Sequence, residues 1–219
     1  FAFNIMDVKK IYKTRFYDIE KRKLIWKILV TDFFQQFVKK NDVVLDAGCG
    51  YGEFINNIIC GKKLAVDLNS EAKKYLNTEV KYYLGSTTKM SFIKEKTVNK
   101  IFVSNFFEHL EREDIIKTIK EFKRLIGNKG EVLILQPNIR FCAQDYWMFF
   151  DHVTPIDDRA LEEIFSVNGF RLKKIILKFL PYTIKSNLPK SSILVKLYLK
   201  LPFLWKIFGQ QSFLIFEKL

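Results

Sequence analysis

The stretch "VVLDAGCGYGEF", residues 43–54, predicts how the central part of this chain folds. A short apolar run, typical of a buried strand, leads to Asp46, and three alternating glycines follow it: Gly48, Gly50 and Gly52. Glycines in such a turn allow positive φ and let a ligand approach the bare backbone, where N–H groups at a helix start can face it. We therefore expect a strand, a tight ligand-binding turn and a helix that opens at Glu53.

Short strand-like runs alternate with helical patterns on either side of this turn. The apolar patterns predict strands at 42–48, 62–68, 80–85, 100–105 and 131–137, and helices at about 52–59, 70–77, 111–126 and 157–167. Gly127 and Gly169 are expected to end the last two helices. This alternation is typical of an α/β fold with a doubly wound, mostly parallel sheet and helices on both faces.

The two ends of the chain differ from this middle. Residues 14–39 carry apolar side chains at helical spacing, which predicts one or two helices over the sheet and a helical lid or cap at 1–40. The core is expected at 41–180. A basic amphipathic helical insertion at 181–210 then precedes a last strand at 211–219, within the same domain.

Composition indicates a globular protein of ordinary domain size. The chain has 219 residues, of which 48% are hydrophobic and 16% aromatic. Its three cysteines, Cys49, Cys60 and Cys142, are odd in number and have no metal-type spacing, so we expect a reduced, cytoplasmic protein. Lysines interrupt every apolar run, which argues against a membrane-spanning helix, and "FAFNIMDVKK" does not match a signal peptide.

The positive charge is concentrated near the C-terminus. The net charge is +13, and from Arg171 onward ten basic residues face one acidic residue, Glu217. Residues 190–208 combine lysines with aliphatic and aromatic side chains, a pattern that suits peripheral contact with an anionic membrane at the inner face of the cell membrane. The same pattern also suits a segment that covers the sheet, roofs the substrate pocket or forms a homodimer.

The glycine spacing resembles the first motif of class I S-adenosylmethionine-dependent methyltransferases, and differs from the G-x-G-x-x-G of dinucleotide-binding folds. "YYLGSTTKMSF" is similar to the family's adenine loop, with Ser86 in place of the usual acid, and "VNKIFVSNFFEHL" to its fourth motif, with Lys100 where many relatives have Asp. The likeness covers about residues 40–180. It implies a Rossmann-like fold with an antiparallel last strand and S-adenosyl-L-methionine as cofactor. It implies a set of cofactor-binding residues, among which Asp67 binds the ribose hydroxyls: Asp46, Gly48, Gly50, Gly52, Asp67, Leu68, Ser86, Thr87 and Asn105.

The chain contains only two histidines, His109 in "SNFFEHL" and His152 in "WMFFDHVTP". Both follow predicted strands at the carboxyl edge of the sheet, where ligands of doubly wound folds collect, so we expect them to share one pocket. Methyl transfer to oxygen needs a base, a role that suits an imidazole. "EHL" resembles family members that act on small molecules, and "DHVTP" a subgroup associated with glycan and envelope biosynthesis. The resemblance implies His109 and His152 as catalytic residues, with Glu108 orienting an imidazole or binding the acceptor.

Other roles for these residues stay open at this point. His109 could cap the helix that begins near Glu111, and His152 could fix its own turn through a backbone hydrogen bond. A divalent metal on Glu108, His109 and His152 is possible but not favoured, because the first acid of the E-x-x-E-H pattern of metal-dependent relatives is Asn105 here. Arg15 could pair with the methionyl carboxylate or lie on the surface.

The sequence therefore predicts a methyltransferase that modifies a hydroxyl on a sugar, a glycan, a lipid-linked intermediate or another small-molecule acceptor. The alternatives are an RNA ribose methyltransferase, which the net charge of +13 would suit, and an inactive cofactor-binding scaffold. Nucleic acid is not the expected partner, because "SNFFEHL" has neither the N/D-P-P-Y motif of base N-methylation nor a cysteine nucleophile.

Overall fold

A mixed β-sheet forms the centre of the protein in the computed structural model, which describes residues 19–182 and 191–219. Its strands are β1 (Val43–Ala47), β2 (Lys62–Asp67), β3 (Val80–Leu84), β4 (Val98–Ser104), β5 (Ile126–Pro137), β6 (Phe170–Leu180) and β7 (Gln211–Lys218). They lie in the order β3-β2-β1-β4-β5-β7-β6. Neighbours from β3 to β5 are parallel, and β7 is antiparallel to both β5 and β6. The predicted Rossmann-like, mostly parallel sheet with an antiparallel last strand is confirmed.

Helices cover both faces of this sheet, as predicted. They are α1 (Ile19–Asp32), α2 (Arg112–Leu125), α3 (Ile139–Tyr146), α4 (Asp158–Val167), α5 (Ser192–Lys200) and α6 (Pro202–Phe208). The predicted helices at 111–126 and 157–167 are α2 and α4, whereas α3 was not predicted. Arg15 lies outside the described residues, as do the rest of the predicted lid before Ile19 and residues 183–190 of the predicted insertion.

The helix expected to open at Glu53 is absent, and residues 53–57 form turns instead. Asn56 and Asn57 explain the difference, because their side chains form hydrogen bonds with backbone groups that compete with the regular hydrogen bonds of a helix. The Asn57 amide donates to the carbonyl oxygen of Glu53 (2.8 Å), and the Asn56 side-chain oxygen accepts from the Asn77 N–H (2.9 Å). The helix expected at 70–77 is likewise a short 3-10 helix, Ser70–Tyr75.

The two predicted helix-ending glycines have different outcomes. Gly169 has φ of +84°, directly after the C-terminal cap of α4, and is confirmed in that role. The prediction for Gly127 is wrong, because Ile126 after α2 is already extended and begins β5. The left-handed residue of that turn is Lys129, with φ of +59°.

Aromatic side chains fill the layers on both sides of the sheet. Beneath α1, α5 and α6, the rings of Phe54 and Phe102 stack with centroids 3.7 Å apart. Beneath α2 and α4, Phe165 stacks on Phe216 with centroids 4.4 Å apart. Because these layers are closely packed, the strand ends that carry the loops at the carboxyl edge of the sheet have fixed positions. None of the helices in residues 19–182 and 191–219 has the length and apolar character needed to cross a membrane.

Candidate functional site

The glycine turn after β1 has the backbone conformation that its sequence predicts. Gly48, Gly50 and Gly52 have φ of +72°, +53° and +73°. The N–H groups of Gly48 and Cys49 both donate to the carbonyl oxygen of Val66 (2.9 and 3.2 Å), which ties the turn to β2. A Cβ added to Gly48 would lie 2.5 Å from the Phe106 ring. Only glycine therefore fits at position 48 without displacing the chain that leaves β4.

Asp67, the last residue of β2, connects the glycine turn to the next loop. One carboxylate oxygen accepts from the Gly50 N–H (2.8 Å) and the other from the Asn69 N–H (2.8 Å). Burial raises the pKa of Asp67, and these backbone donors oppose that rise. The Tyr82 hydroxyl contacts the carbonyl oxygens of Asp67 (3.2 Å) and Asn69 (2.9 Å), a bracing role that was not predicted. Leu68 lies beside this carboxylate and is exposed.

Further carboxylates lie close to the same turn. The Asp46 carboxylate is buried, and its pKa is raised well above its ordinary value, first by burial and then by the nearby charges of Glu53 and Asp67. Arg22 of α1 pairs with Glu53 and so attaches α1 to the glycine turn. Neither Arg22 nor Glu53 was predicted as a site residue. Because buried carboxylates of like charge repel one another, a ligand that carries positive charge would be favoured beside this turn.

The loop after β3 lies beside Asp67. The Gly85 N–H donates to the Asp67 carbonyl oxygen (3.0 Å), and the predicted residues Ser86 and Thr87 follow. The Ser86 hydroxyl is 2.8 Å from that of Thr88, within the loop. The Thr87 hydroxyl is 3.0 Å from that of Thr118 in α2, so its side chain points into the protein and leaves its backbone as the part that could meet a ligand.

Asn105 directly follows β4 and lies in the left-handed region, with φ of +47°. Its N–H donates to the Leu135 carbonyl oxygen (2.9 Å), and its side-chain amide donates to the Ser104 hydroxyl (3.0 Å). This bend directs Phe106 toward Gly48. The segment with the first histidine therefore starts next to the glycine turn.

Glu108, His109 and His152 lie together at the carboxyl edge of the sheet. The Nε2 atoms of His109 and His152 are 3.8 and 4.0 Å from the same oxygen of Glu108, and the two imidazole rings have centroids 4.9 Å apart. The other Glu108 oxygen accepts from the Gln136 amide of β5 (2.8 Å). Burial raises the pKa of Glu108, while the His109 charge and the Gln136 hydrogen bond oppose the rise. The sequence predicted only that the two histidine segments lie at the same edge of the sheet, and the structure shows that they are in contact.

Backbone hydrogen bonds hold the second segment against the first. The N–H groups of Val153 and Thr154 donate to the Glu108 carbonyl oxygen (2.9 and 3.2 Å). His109 Nδ1 is 3.0 Å from the carbonyl oxygen of Asp151. The side chain of His109 therefore contacts the other segment, and the hypothesis that it caps α2 is not borne out. The N-terminal cap of α2 is Glu111, which makes no side-chain capping bond.

Tyrosine and phenylalanine rings surround His152. The rings of Tyr146 and Phe149 lie with centroids 4.9 and 5.2 Å from the imidazole, and the Tyr182 hydroxyl is 3.3 Å from its Nε2 atom. Tyr146 and Tyr182 were not predicted. Asn138 directly after β5 is a helix-capping residue type, and its side chain does accept from the Arg140 N–H at the start of α3, so it was the available signal for the helix that carries Tyr146.

The donor set of this cluster is also chemically suited to a divalent metal ion. Glu108, His109 and His152 each offer one ligand atom, and these atoms lie within 4.8 Å of one another. Two imidazole nitrogens and a carboxylate oxygen are ordinary ligands of transition metals. The cluster could therefore serve either as a metal site or as a proton-accepting site.

Comparison with known proteins agrees with this geometry. A family model described as a methyltransferase domain matches residues 19–175. Two uncharacterized proteins of Methanocaldococcus jannaschii are each 26% identical to the chain, over 100 and 133 residues, or 46% and 59% of its length. The aligned parts span 43% and 47% of these relatives, so the chain covers less than half of each.

Solved methyltransferase structures have the same fold. One is a SAM-dependent methyltransferase from Archaeoglobus fulgidus, with 21% identity, a TM-score of 0.67 and coverage of 90% of this chain and 94% of that one. A second comes from a complex of the Haloferax volcanii Trm112 methyltransferase activator with a methyltransferase. It has 14% identity and a TM-score of 0.67, and the match covers 94% of this chain and 96% of that one. A third is geranyl diphosphate C-methyltransferase from Streptomyces coelicolor A3(2), in complex with Mg²⁺, geranyl diphosphate and S-adenosyl-L-homocysteine. It has 14% identity and a TM-score of 0.61, and the match covers 88% of this chain and 76% of that one.

Proposed function

The chain belongs to the methyltransferase domain family, and we propose that it transfers the methyl group of S-adenosylmethionine to a hydroxyl of a sugar, a glycan, a lipid-linked intermediate or another small molecule. The observation that carries this proposal is the cluster of Glu108, His109 and His152 next to Phe106, the ring that packs on Gly48. This arrangement puts proton-accepting side chains beside the turn assigned to the methyl donor.

We assign the cofactor to the glycine turn and the adjoining ends of β1 and β2. The buried carboxylates there complement the two positive charges of S-adenosylmethionine, the sulfonium and the amino group, which supports Asp46 as a contact to the methionyl part. In this proposal, Asp67 accepts from both ribose hydroxyls, with Leu68 beside the sugar. The proposal completes the pocket with the turn glycines, the loop along adenine and the end of β4: Gly48, Gly50, Gly52, Ser86, Thr87 and Asn105.

His109 is the proposed base. In this proposal, Nδ1 carries the ring hydrogen and donates to the Asp151 carbonyl oxygen 3.0 Å away, which leaves the Nε2 lone pair for the acceptor hydroxyl. Bound S-adenosylmethionine supplies an electrophilic methyl group on a sulfonium leaving group. As the acceptor oxygen forms its bond to the methyl carbon and the carbon–sulfur bond breaks, the hydroxyl proton passes to His109. The Glu108 carboxylate stabilises the imidazolium that results, while His152 and Tyr182 position the acceptor.

A pair of substitutions at His109 tests this role. Asn retains a donor where Nδ1–H stands and Ala does not, so His109→Asn keeps the contact to Asp151 but has no base. We expect both variants to lose about 10²- to 10⁴-fold in turnover. Their affinity for S-adenosylmethionine, measured by calorimetry, should stay within about twofold, because His109 lies outside the cofactor pocket. An Asn variant as active as the wild type would assign His109 a structural role and remove the base from the proposal.

The reaction class is tested with tritiated S-adenosylmethionine and panels of acceptors that carry hydroxyl or amino groups. Methyl ethers that survive base treatment support the proposal, and label found only on nitrogen contradicts it. Ribose methylation of RNA remains the alternative suggested by the net charge of +13. It predicts a gel shift with structured RNA that weakens steeply as salt is raised. Cofactor binding without transfer to any acceptor would favour the scaffold.

A further inference from the structure

The helices α5 and α6 expose a row of large apolar side chains. The exposed fractions are 75% for Ile193, 48% for Leu197, 58% for Phe203 and 64% for Ile207. Ile193 and Leu197 are four residues apart in α5, and Phe203 and Ile207 are four residues apart in α6, so each pair shares one helix face. We call the exposed sides of these two helices the outer face. Its apolar side chains contribute nothing to the two core layers described above.

The opposite side of the same helices anchors them to the sheet. Leu199 is buried, and the Tyr198 hydroxyl donates to the Phe179 carbonyl oxygen of β6 (2.6 Å). The Trp205 indole N–H donates to the Tyr198 carbonyl oxygen (2.8 Å), and the Trp205 ring packs against Phe179 with centroids 5.1 Å apart. The outer face is therefore held in place by contacts that substitutions on it would leave intact.

The charge of the outer face has one sign. Lys196, Lys200 and Lys206 are exposed among its apolar side chains, and residues 191–210 contain no acidic residue. Among residues 19–182 and 191–219, no carboxylate pairs with any of these three lysines. Large apolar side chains mixed with lysines that lack counter-charges are typical of helices that lie in the interface of an anionic membrane.

The outer face belongs to a segment that starts and ends at the same edge of the sheet as the histidines. Because β5 and β6 are both antiparallel to β7, they are parallel to each other, and the carboxyl end of β6 lies on the histidine edge. Tyr182, two residues beyond β6, contacts His152. Phe150, in the histidine segment, is 84% exposed. The chain therefore presents further apolar surface next to the candidate site.

We propose that the outer face docks the protein on the surface of an anionic lipid bilayer, with α5 and α6 lying in the headgroup region. A second copy of the chain fits less well, because a two-fold interface on this face would oppose its three lysines with the same three lysines. An anionic bilayer matches both the apolar side chains and the lysines. This docking is independent of the methyl acceptor and requires no membrane-spanning helix.

Vesicle flotation of the full chain tests the docking. We expect flotation with vesicles of phosphatidylcholine mixed with phosphatidylglycerol, little with phosphatidylcholine alone, and loss of flotation as salt is raised. Phe203→Glu with Ile207→Glu should abolish binding. Each lysine-to-alanine change at Lys196, Lys200 or Lys206 should weaken partitioning about fivefold.

Matched substitutions elsewhere serve as controls. Val167→Glu replaces a 74% exposed apolar residue of α4, and Lys120→Ala removes an exposed lysine of α2; both should float like the wild type. Melting temperature and S-adenosylmethionine binding show that each variant is folded, separately from any failure of the proposed reaction. Absence of flotation with phosphatidylglycerol, or equal flotation of the outer-face and control variants, overturns the proposal. So does a dimer in light scattering that Phe203→Glu dissociates, because a second copy would then occupy the face.

Discussion

Gly48→Ala should destabilise the fold and distort the glycine turn after β1, to which we assign the cofactor. Gly48 has φ of +72°, and a residue with a side chain in that left-handed region costs about 1–2 kcal/mol. The new Cβ would lie 2.5 Å from one Phe106 ring carbon and 2.9 Å from another, and overpacking of this kind costs about 1–3 kcal/mol. Together the two effects lower the free energy of unfolding by about 2–5 kcal/mol. For a chain of this length, that corresponds to a melting temperature lower by about 4–20 °C.

Circular dichroism melts and calorimetric titration with S-adenosylmethionine measure the two effects. Gly127→Ala is the matched control, because a Cβ there would be 3.5 Å from its nearest neighbour, the Lys96 carbonyl oxygen, and the backbone is outside the left-handed region. It should melt close to the wild type. In a double-mutant cycle, Phe106→Ala should remove the ring clash but not the backbone strain, so the double variant should lose less stability than the sum of the single variants.

A Gly48→Ala protein that melts with the Gly127→Ala control and binds S-adenosylmethionine like the wild type would refute this reasoning. The turn would then accommodate a side chain, and its left-handed glycines would not explain the close approach of Phe106. A normal melting temperature with lost cofactor binding would instead mean that the backbone adapts and only the ligand is excluded.

Two further predictions concern carboxylates of the candidate site. Asp67→Asn replaces one carboxylate oxygen with an amide donor that faces the N–H of Gly50 or Asn69. The loss of a charged hydrogen bond should weaken S-adenosylmethionine binding about 10- to 150-fold, measured by calorimetry. Unchanged affinity would remove Asp67 from the proposed ribose site. Burial raises the pKa of Glu108, so its ionised form destabilises the fold as the pH rises above the ordinary pKa of 4.5. Glu108→Gln should therefore melt at a higher temperature than the wild type at neutral pH and lose that advantage below pH 4.5. Its turnover should be lower. A Gln variant that melts lower at neutral pH would show that the charge of Glu108 is stabilised by its partners.

The parts of the fold that sequence reasoning found are those in which a local pattern and the core agree. Four of the five predicted central strands have buried apolar centres, and Gly169 follows an amphipathic helix at the position where a left-handed residue is needed. The pattern failed at residues 53–57, because the Asn57 side chain takes the Glu53 carbonyl that a helical backbone would use, and the Asn56 side chain bonds to a residue outside the segment. The turn depends on Asn77, which is twenty-one residues away along the chain from Asn56.

The candidate site shows the same division. Sequence reasoning placed His109 and His152 at one edge of the sheet, because parallel strands share their carboxyl ends. The sequence does not reveal the contacts of the two rings. His109 contacts the backbone carbonyl oxygen of Asp151, and His152 contacts the hydroxyl of Tyr182, which follows β6. Backbone carbonyls carry no sequence signal, and such long-range pairings are set by tertiary packing.

Charge is segregated within this protein in a way that its total conceals. The net charge is +13, yet Asp46 and Asp67 are acids beside the glycine turn whose pKa values are raised by burial, and Asp46 also by the charges of its neighbours. Because salt screens exposed charges far more than buried ones, the buried carboxylates beside the turn would still favour a sulfonium although the net charge is positive. The exposed lysines of α5 and α6 form a separate positive field, which the proposed docking would direct at an anionic bilayer. Raising salt should therefore weaken vesicle binding strongly and S-adenosylmethionine binding little, and a parallel decline of both would show that the two fields are not separate.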